Sequence, residues 1–270
     1  MSETSEVLKA YENLEFLHSP PARAIRVLCE LTEPEQRFRR FGIRNTIVFF
    51  GATRSMPRDK AERNLAELEA QRGGGGGYEQ ELRKAKAKLG MSRYYEAARE
   101  LSYRLTEWSG AIEEAERRFY ICSGGGHGIM EAANRGAAEA GGKSIGLNIS
   151  LPEAQERNAY QTPELSFDFH YFFIRKFWFF YLAKALVIFP GGFGTLDELF
   201  ELLTLVQTQK SKKYMPIIIY GSDYWKEVLN FESLVKTGTV DAEDVGLFRF
   251  FDEVEGAFEY LKKELTEHYL

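Results

Sequence analysis

Two segments of the chain share one grammar: a short apolar run, a glycine-rich loop, then a helix. In the first, Phe119-Tyr-Ile-Cys122 enters Ser123-Gly-Gly-Gly-His-Gly128 and a helix over 129–140, stopped by Gly141-Gly142. In the second, Ala185-Leu-Val-Ile-Phe189 enters Pro190-Gly-Gly-Phe-Gly194 and a helix over 195–209. Further apolar runs predict strands at 45–50, 143–149, 165–172 and 216–220. Helical spacing covers 57–118, 173–183 and the C-terminal stretch to Leu270, and residues 1–43 also read as helical. Strands alternating with helices require crossover connections. The expected product is an α/β fold with a largely parallel sheet covered on both faces. Ligands of such sheets bind at the carboxyl ends of the strands.

Composition limits what this fold can do. The 270 residues include 35 Lys+Arg against 40 Asp+Glu, a net charge of −5, which argues against a broad nucleic-acid-binding surface. The two cysteines, Cys29 and Cys122, are too few for a disulfide scaffold or a zinc cluster, so a reduced, cytoplasmic setting is expected. The polar Met1–Lys9 segment does not read as a secretory signal. The greasiest stretch, 167–189, is interrupted by Asp168, Arg175, Lys176 and Lys184, so no membrane span is expected. The glycine run Gly73–Gly77 sits between two polar helical stretches and reads as a connector. Arg37, Arg39, Arg40 and Arg44 read as a solvated face. The expected organisation is a helical extension over 1–44 and one domain over 45–270.

The two glycine loops carry the chemistry. Each lets the backbone approach a ligand closely, and each opens a helix whose first N–H groups are unpaired at the positive end of its dipole. That combination suits phosphate. Named alternatives fail on spacing. The third glycine of G-x-G-x-x-G would fall at Ile129 or Asp197, and the stretch Gly142-Lys143-Ser144 lacks the Walker glycine, having Ala137 there. Thr195 and Glu198 are three apart and share a helix face, apart from a core stripe of Leu196, Leu199, Phe200 and Leu203. With the helix starting at Thr195, Glu198 lies near its N-terminus, where the dipole favours the ionised form. A simple capping role is the competing reading. Arg175 lies in a helix apolar on nearly every side, so its guanidinium needs an anionic partner. That partner is either a ligand in the cleft shared with Glu198, or a structural carboxylate such as Asp168. His127 and His170 have no companions at metal-ligand spacing, and no metal is expected. Cys122 reads as packing, and no Gly-x-Ser-x-Gly elbow exists.

Pro190-Gly-Gly-Phe-Gly-Thr-Leu-Asp-Glu198 resembles the PGGxGTxxE signature of the LOG family, long described as "possible lysine decarboxylase". Arg175-Lys176 match that family's Arg-Lys pair. Gly124-Gly-Gly-His-Gly-Ile-Met-Glu131, the run through Gly136, and Ile145-Gly-Leu-Asn-Ile-Ser-Leu-Pro152 continuing to Asn158 resemble motifs of its longer members. His127 stands where a smaller residue or proline is expected. The resemblance covers roughly 45–220 and leaves out residues 1–44, the glycine run and the tail beyond about 221.

This resemblance implies a Rossmann-like three-layer fold, a homodimer or higher homo-oligomer, and no cofactor. It also implies hydrolysis of a nucleoside 5′-monophosphate, AMP or a cytokinin riboside monophosphate, to free base and ribose 5-phosphate. Breaking an N-glycosidic bond builds positive charge on the ribose, which a fixed carboxylate can stabilise. The resemblance gives that role to Glu198 and gives Arg175 the orientation of substrate. Gly124, Gly125, Gly126, Gly191, Gly192, Gly194 and Thr195 would hold the 5′-phosphate. Met130, Glu131, Asn158 and Lys176, at matching positions, are expected to complete the substrate site. Lysine decarboxylation would need pyridoxal phosphate on a lysine, and Lys176 and Lys184, the only candidates near the loops, both have ordinary explanations. The alternative from another class is a carrier or sensor that binds a phosphorylated ligand without hydrolysing it.

Overall fold

The computed structural model describes residues 7–71, 77–151 and 156–270. Apart from Gly77, the glycine run read as a connector lies outside these residues. Strands β1 (Asn45–Phe50), β2 (Phe119–Ser123), β3 (Ser144–Ile149), β4 (Ser166–Phe169), β5 (Ala183–Ile188), β6 (Ile217–Tyr220) and β7 (Arg249–Phe251) form one sheet. Its order is β4-β3-β2-β1-β5-β6-β7, and every neighbouring pair is parallel. The connections carry α1 (Leu14–His18), α2 (Arg23–Arg40), α3 (Arg58–Ala70), α4 (Tyr78–Gly110), α5 (Ile129–Glu139), α6 (Phe172–Tyr181), α7 (Phe193–Gln207), α8 (Ser222–Val228), α9 (Phe231–Lys236) and α10 (Val254–Tyr269). The expected α/β, Rossmann-like architecture is the one observed.

Side-chain alternation divides the core into two layers. Ile47, Phe49, Ile121 and Val187 face α4, α5 and α10. Val48, Phe50, Cys122, Leu186 and Ile188 face the opposite way, with Ile174, Trp178 and Phe179 of α6 and Leu199 and Leu202 of α7. Strand β1 is the pivot: the chain moves outward from it through β2 to β4, then returns to its other side as β5. The crevice of a doubly wound sheet opens at such a reversal, beyond the carboxyl ends of β1 and β5.

Several boundaries differ from the sequence reading. The predicted strand at 165–172 ends at Phe169, and α6 takes Phe172. Ala183 and Lys184 belong to β5, because Ala183 pairs with Thr46 in the ladder. Helix α7 starts at Phe193, two residues earlier than expected. Phe200 is partly exposed, and Leu202 takes its place in the core. Helix α6 is two-faced: Phe172, Phe173, Phe177 and Tyr181 are exposed. The Phe-rich stretch near Phe248 supplies the edge strand β7. No helix among the described residues is long and apolar enough to cross a membrane.

Candidate active site

Three loops meet at the crevice, following β1, β2 and β5. The N–H of Ala52 donates to Pro190 O at 2.9 Å, and the N–H of Ile129 donates to Ala52 O at 3.1 Å. The β1 loop is thus clamped between the two glycine loops. It brings Thr53 and Arg54 to the surface there. No motif marks this loop in the sequence; the signal that points to it is its place after the central strand.

The loop after β2 is held by side-chain amides. Gly125 has φ +73°, and a Cβ on it would collide with Asn148 Oδ1. Asn158 Nδ2 donates to Gly125 O at 3.0 Å and to Gly126 O at 2.9 Å, and lies 2.9 Å from Asn134 Oδ1. Gln161 Nε2 donates to Gly125 O at 2.6 Å. Asn158 therefore shapes the loop, a job visible in its burial and its bonds. Gln161 and Asn148, which share that job, were not singled out from sequence, since amide networks leave no spacing signature. With its carbonyls taken up behind it, this loop leads into α5, which has no side-chain cap. Helix α7 likewise has none. The N–H of Ile129 is taken by Ala52 O, and the other first-turn N–H groups of α5 and those of α7, which have no side-chain cap among the described residues, meet the requirement for an anion site.

The loop after β5 is pinned from below. Tyr224 Oη donates to Gly191 O at 2.8 Å, and Thr195 Oγ1 packs against the Gly191 Cα. Gly192 and Gly194 are exposed. Thr195 and Glu198 are both buried on the inner face of α7, as their spacing predicted.

Glu198 is 6% exposed, and its Oε2 has no hydrogen-bond partner among the described residues. Burial pushes its carboxyl up to about 7, against the pull of Lys176 and Arg175, while Asp197 and Glu201 push it further up. This corrects the expectation that the dipole would favour the ionised form. Because α7 starts at Phe193, Glu198 lies in its second turn, beyond the strongest part of the dipole, and desolvation wins.

Arg175 has no carboxylate within ion-pair distance among the described residues. Its Nε donates to Leu147 O at 2.7 Å, and its Nη2 reaches Gly124 O at a long 3.5 Å. The guanidinium lies 5.0 Å from the Phe179 ring centre. Burial lowers its pKa and the nearby charge of Glu198 raises it. Asp168, the structural alternative, pairs instead with Arg157 at 2.9 Å. Met130 Sδ and Arg175 Nη2 both lie against Gly124.

Two expected contacts are engaged elsewhere. Lys176 Nζ lies 2.7 Å from Asp197 Oδ2 and 2.6 Å from Glu201 Oε2, so its contribution to the crevice is its charge beside Glu198. Glu131 accepts from Tyr95 Oη at 2.8 Å and lies 2.9 Å from His127 Nδ1. Burial pushes the Cys122 thiol far up, which suits packing. Lys184 lies at the start of β5, the end away from the loops, above the Tyr269 ring. Among the described residues, no group of three or more His, Cys, Asp or Glu could hold a metal ion.

The family model described as "possible lysine decarboxylase" matches residues 130–261. No curated protein matches the chain. Among solved structures, the X-ray structure of TM1055, a structural genomics target, is 19% identical, covering 81% of this chain and 99% of its own, at a TM-score of 0.47. The molybdenum cofactor carrier protein of Chlamydomonas reinhardtii is 19% identical, covering 83% and 99%, at 0.42. The molybdenum cofactor binding protein of Rippkaea orientalis is 17% identical, covering 81% and 94%, at 0.44. These structural likenesses are too distant to bear on activity. The family match spans Arg175-Lys176 and the whole Pro190–Glu198 signature, so over residues 130–261 the chain is similar to the LOG-type family described as "possible lysine decarboxylase".

Proposed function

We propose that this protein hydrolyses the N-glycosidic bond of nucleoside 5′-monophosphates, AMP or cytokinin riboside monophosphates, releasing free base and ribose 5-phosphate. The observation that carries the reading is Glu198. It is a buried carboxyl poised near pH 7, and among the described residues one of its oxygens has no partner and the arginine beside it has no carboxylate contact. In its ionised form it stabilises the charge that builds on the ribose, or takes a proton from the attacking water. Arg175 orients the substrate and assists at the departing base or the phosphate. The N–H groups opening α5 and α7, with the Thr195 hydroxyl, hold the 5′-phosphate. Arg54, exposed between the two loops, adds positive charge at the same mouth. Phosphate contacts remote from the reacting carbon supply binding energy that a nucleoside lacks, so monophosphates are preferred.

The acting unit is a homo-oligomer. Exposed Phe172, Phe173, Phe177 and Tyr181 on α6 adjoin an open groove of about 640 Å³ whose lining includes Lys176, Phe193 and Phe200. Phe193 is 92% exposed. A second copy covering this aromatic face would remove it from water.

The test is a chromatographic screen of AMP, GMP, CMP, UMP and isopentenyladenosine monophosphate, with the matching nucleosides as controls. Base release from monophosphates alone, lost in Glu198→Gln while AMP still binds, is the expected result. AMP binding without ribose 5-phosphate release in the wild type would sink the hydrolase reading and leave a carrier.

A further inference from the structure

Helix α2 lies outside the family match and lends no side chain to the three loops, yet it grips the helix that carries Arg175. Glu30 Oε1 accepts the N–H of His170 at 2.8 Å, and its Oε2 accepts the N–H of Tyr171 at 3.2 Å. Its backbone carbonyl accepts Trp178 Nε1 at 2.9 Å. One residue of α2 therefore holds α6 at its start and again about two turns along. Phe38, two turns further down α2, packs on Trp178 and on Phe167 of β4, with ring centres 5.3 and 4.9 Å apart.

The contact falls where α6 is weakest. Helix α6 has ten residues and no side-chain cap of its own. Glu30 takes the N–H groups of the two residues that lead into it, His170 and Tyr171, and a carboxylate there, at the positive end of the dipole, is favourable. Tyr171, which Glu30 holds, is also the residue from which the next turn hangs: the N–H groups of Ile174 and Arg175 both donate to Tyr171 O at 3.1 Å. From that turn Arg175 reaches Leu147 O and Gly124 O. The line from Glu30 to the crevice thus runs through three consecutive hydrogen-bonded steps.

We propose that Glu30 is a positioning residue that fixes the first turn of α6 and thereby aims Arg175 at the crevice, making the N-terminal helix part of the site's apparatus. The proposal rests on the reading of Arg175 as a substrate-orienting group. A purely structural cap would lower stability and leave the aim of Arg175 unchanged.

The experiment uses the full chain, with Glu30→Ala and Glu30→Gln compared to wild type at a temperature where circular dichroism shows all three folded. The first readout needs no activity: the rate of phenylglyoxal modification of Arg175, measured by peptide mass spectrometry, with exposed Arg157 as internal reference. Arg175 is expected to react at least about fivefold faster in Glu30→Ala, with Arg157 unchanged, because its turn opens more often. Glu30→Gln, which keeps one acceptor oxygen, falls between. The second readout is AMP turnover, with kcat reduced roughly ten- to a hundredfold and KM little changed, the pattern of a misaimed group. Unchanged Arg175 reactivity in Glu30→Ala overturns the proposal, whatever happens to thermal stability. A wild type that releases no base removes the hydrolase reading, while the modification rates still decide the role of Glu30. Should Glu30→Ala not fold, Glu30→Gln decides alone: faster labelling of Arg175 supports the proposal and wild-type labelling overturns it.

Discussion

Replacing Glu198 by glutamine is expected to stabilise the folded protein, and only at alkaline pH. The carboxyl titrates at about 7 in the fold against an ordinary 4.5, because burial strips its water and Lys176 and Arg175 restore only part of the loss. The folded state thus holds the proton more tightly than the unfolded chain. That advantage is complete below about pH 4.5 and is lost as pH rises through 7. Above 7 the fold carries an ionised, poorly solvated carboxylate, and the separation of the two values is worth about 3 kcal/mol. Glutamine keeps the shape and cannot ionise. For a chain of this size, Glu198→Gln should melt roughly 5–10 °C above wild type at pH 8.5 and within about 3 °C of it at pH 5. Scanning calorimetry on both proteins at the two pH values makes the comparison, since pH effects from other groups cancel between them. An equal gain at both pH values, or none at pH 8.5, would refute the claim that burial governs this carboxyl. A stability gain paired with lost turnover is what a site held ready for chemistry should show.

Other consequences are independent of that experiment. If ionised Glu198 performs the chemistry, kcat/KM for AMP should rise with pH through a limb near 7; Lys176→Met, which removes a cation that lowers the Glu198 pKa, should move that limb to higher pH, and an unmoved limb would assign it to another group. Gly125→Ala forces a side chain into a positive-φ position against Asn148, so it should cost about 1–3 kcal/mol in urea unfolding and abolish AMP binding. Wild-type affinity in that variant would show that the β2 loop does not hold the ligand. Phe173→Asp with Phe177→Asp places charge on the aromatic face of α6, and light scattering is expected to report an oligomer for the wild type and a monomer for the variant; equal masses would refute the role of this face.

Much of the fold was legible because parallel strands buried on both faces leave a strong record. Runs such as Asn45–Phe50 and Ala183–Ile188 are apolar along nearly their whole length, and each ends in a loop that starts a helix. The glycine loops and the facing of Thr195 and Glu198 followed from spacing alone, because a helix repeats itself every 3.6 residues. The edge strand β7 was missed, since a three-residue strand with exposed side chains has no periodicity to read. The start of α7 was placed two residues late, because glycines and an exposed Phe193 look like loop until tertiary contacts bend them into a helix.

The site divides in the same way. Residue order alone established that a carboxylate, an arginine and two phosphate-suited loops occur on elements that a parallel sheet brings to one edge. Local chemistry is encoded in neighbouring residues, so it can be read without folding the chain. Only the tertiary structure decided the ionisation of Glu198, because desolvation depends on everything packed around a group and not on its helix position. The partners of the cations were settled there too: Lys176 fell to Asp197 and Glu201, Asp168 to Arg157, and Arg175 to backbone carbonyls of β3 and the β2 loop. The grip of Glu30 on His170 and Tyr171 joins positions about 140 residues apart, and no local pattern marks a contact that exists only once the sheet has brought its far ends together.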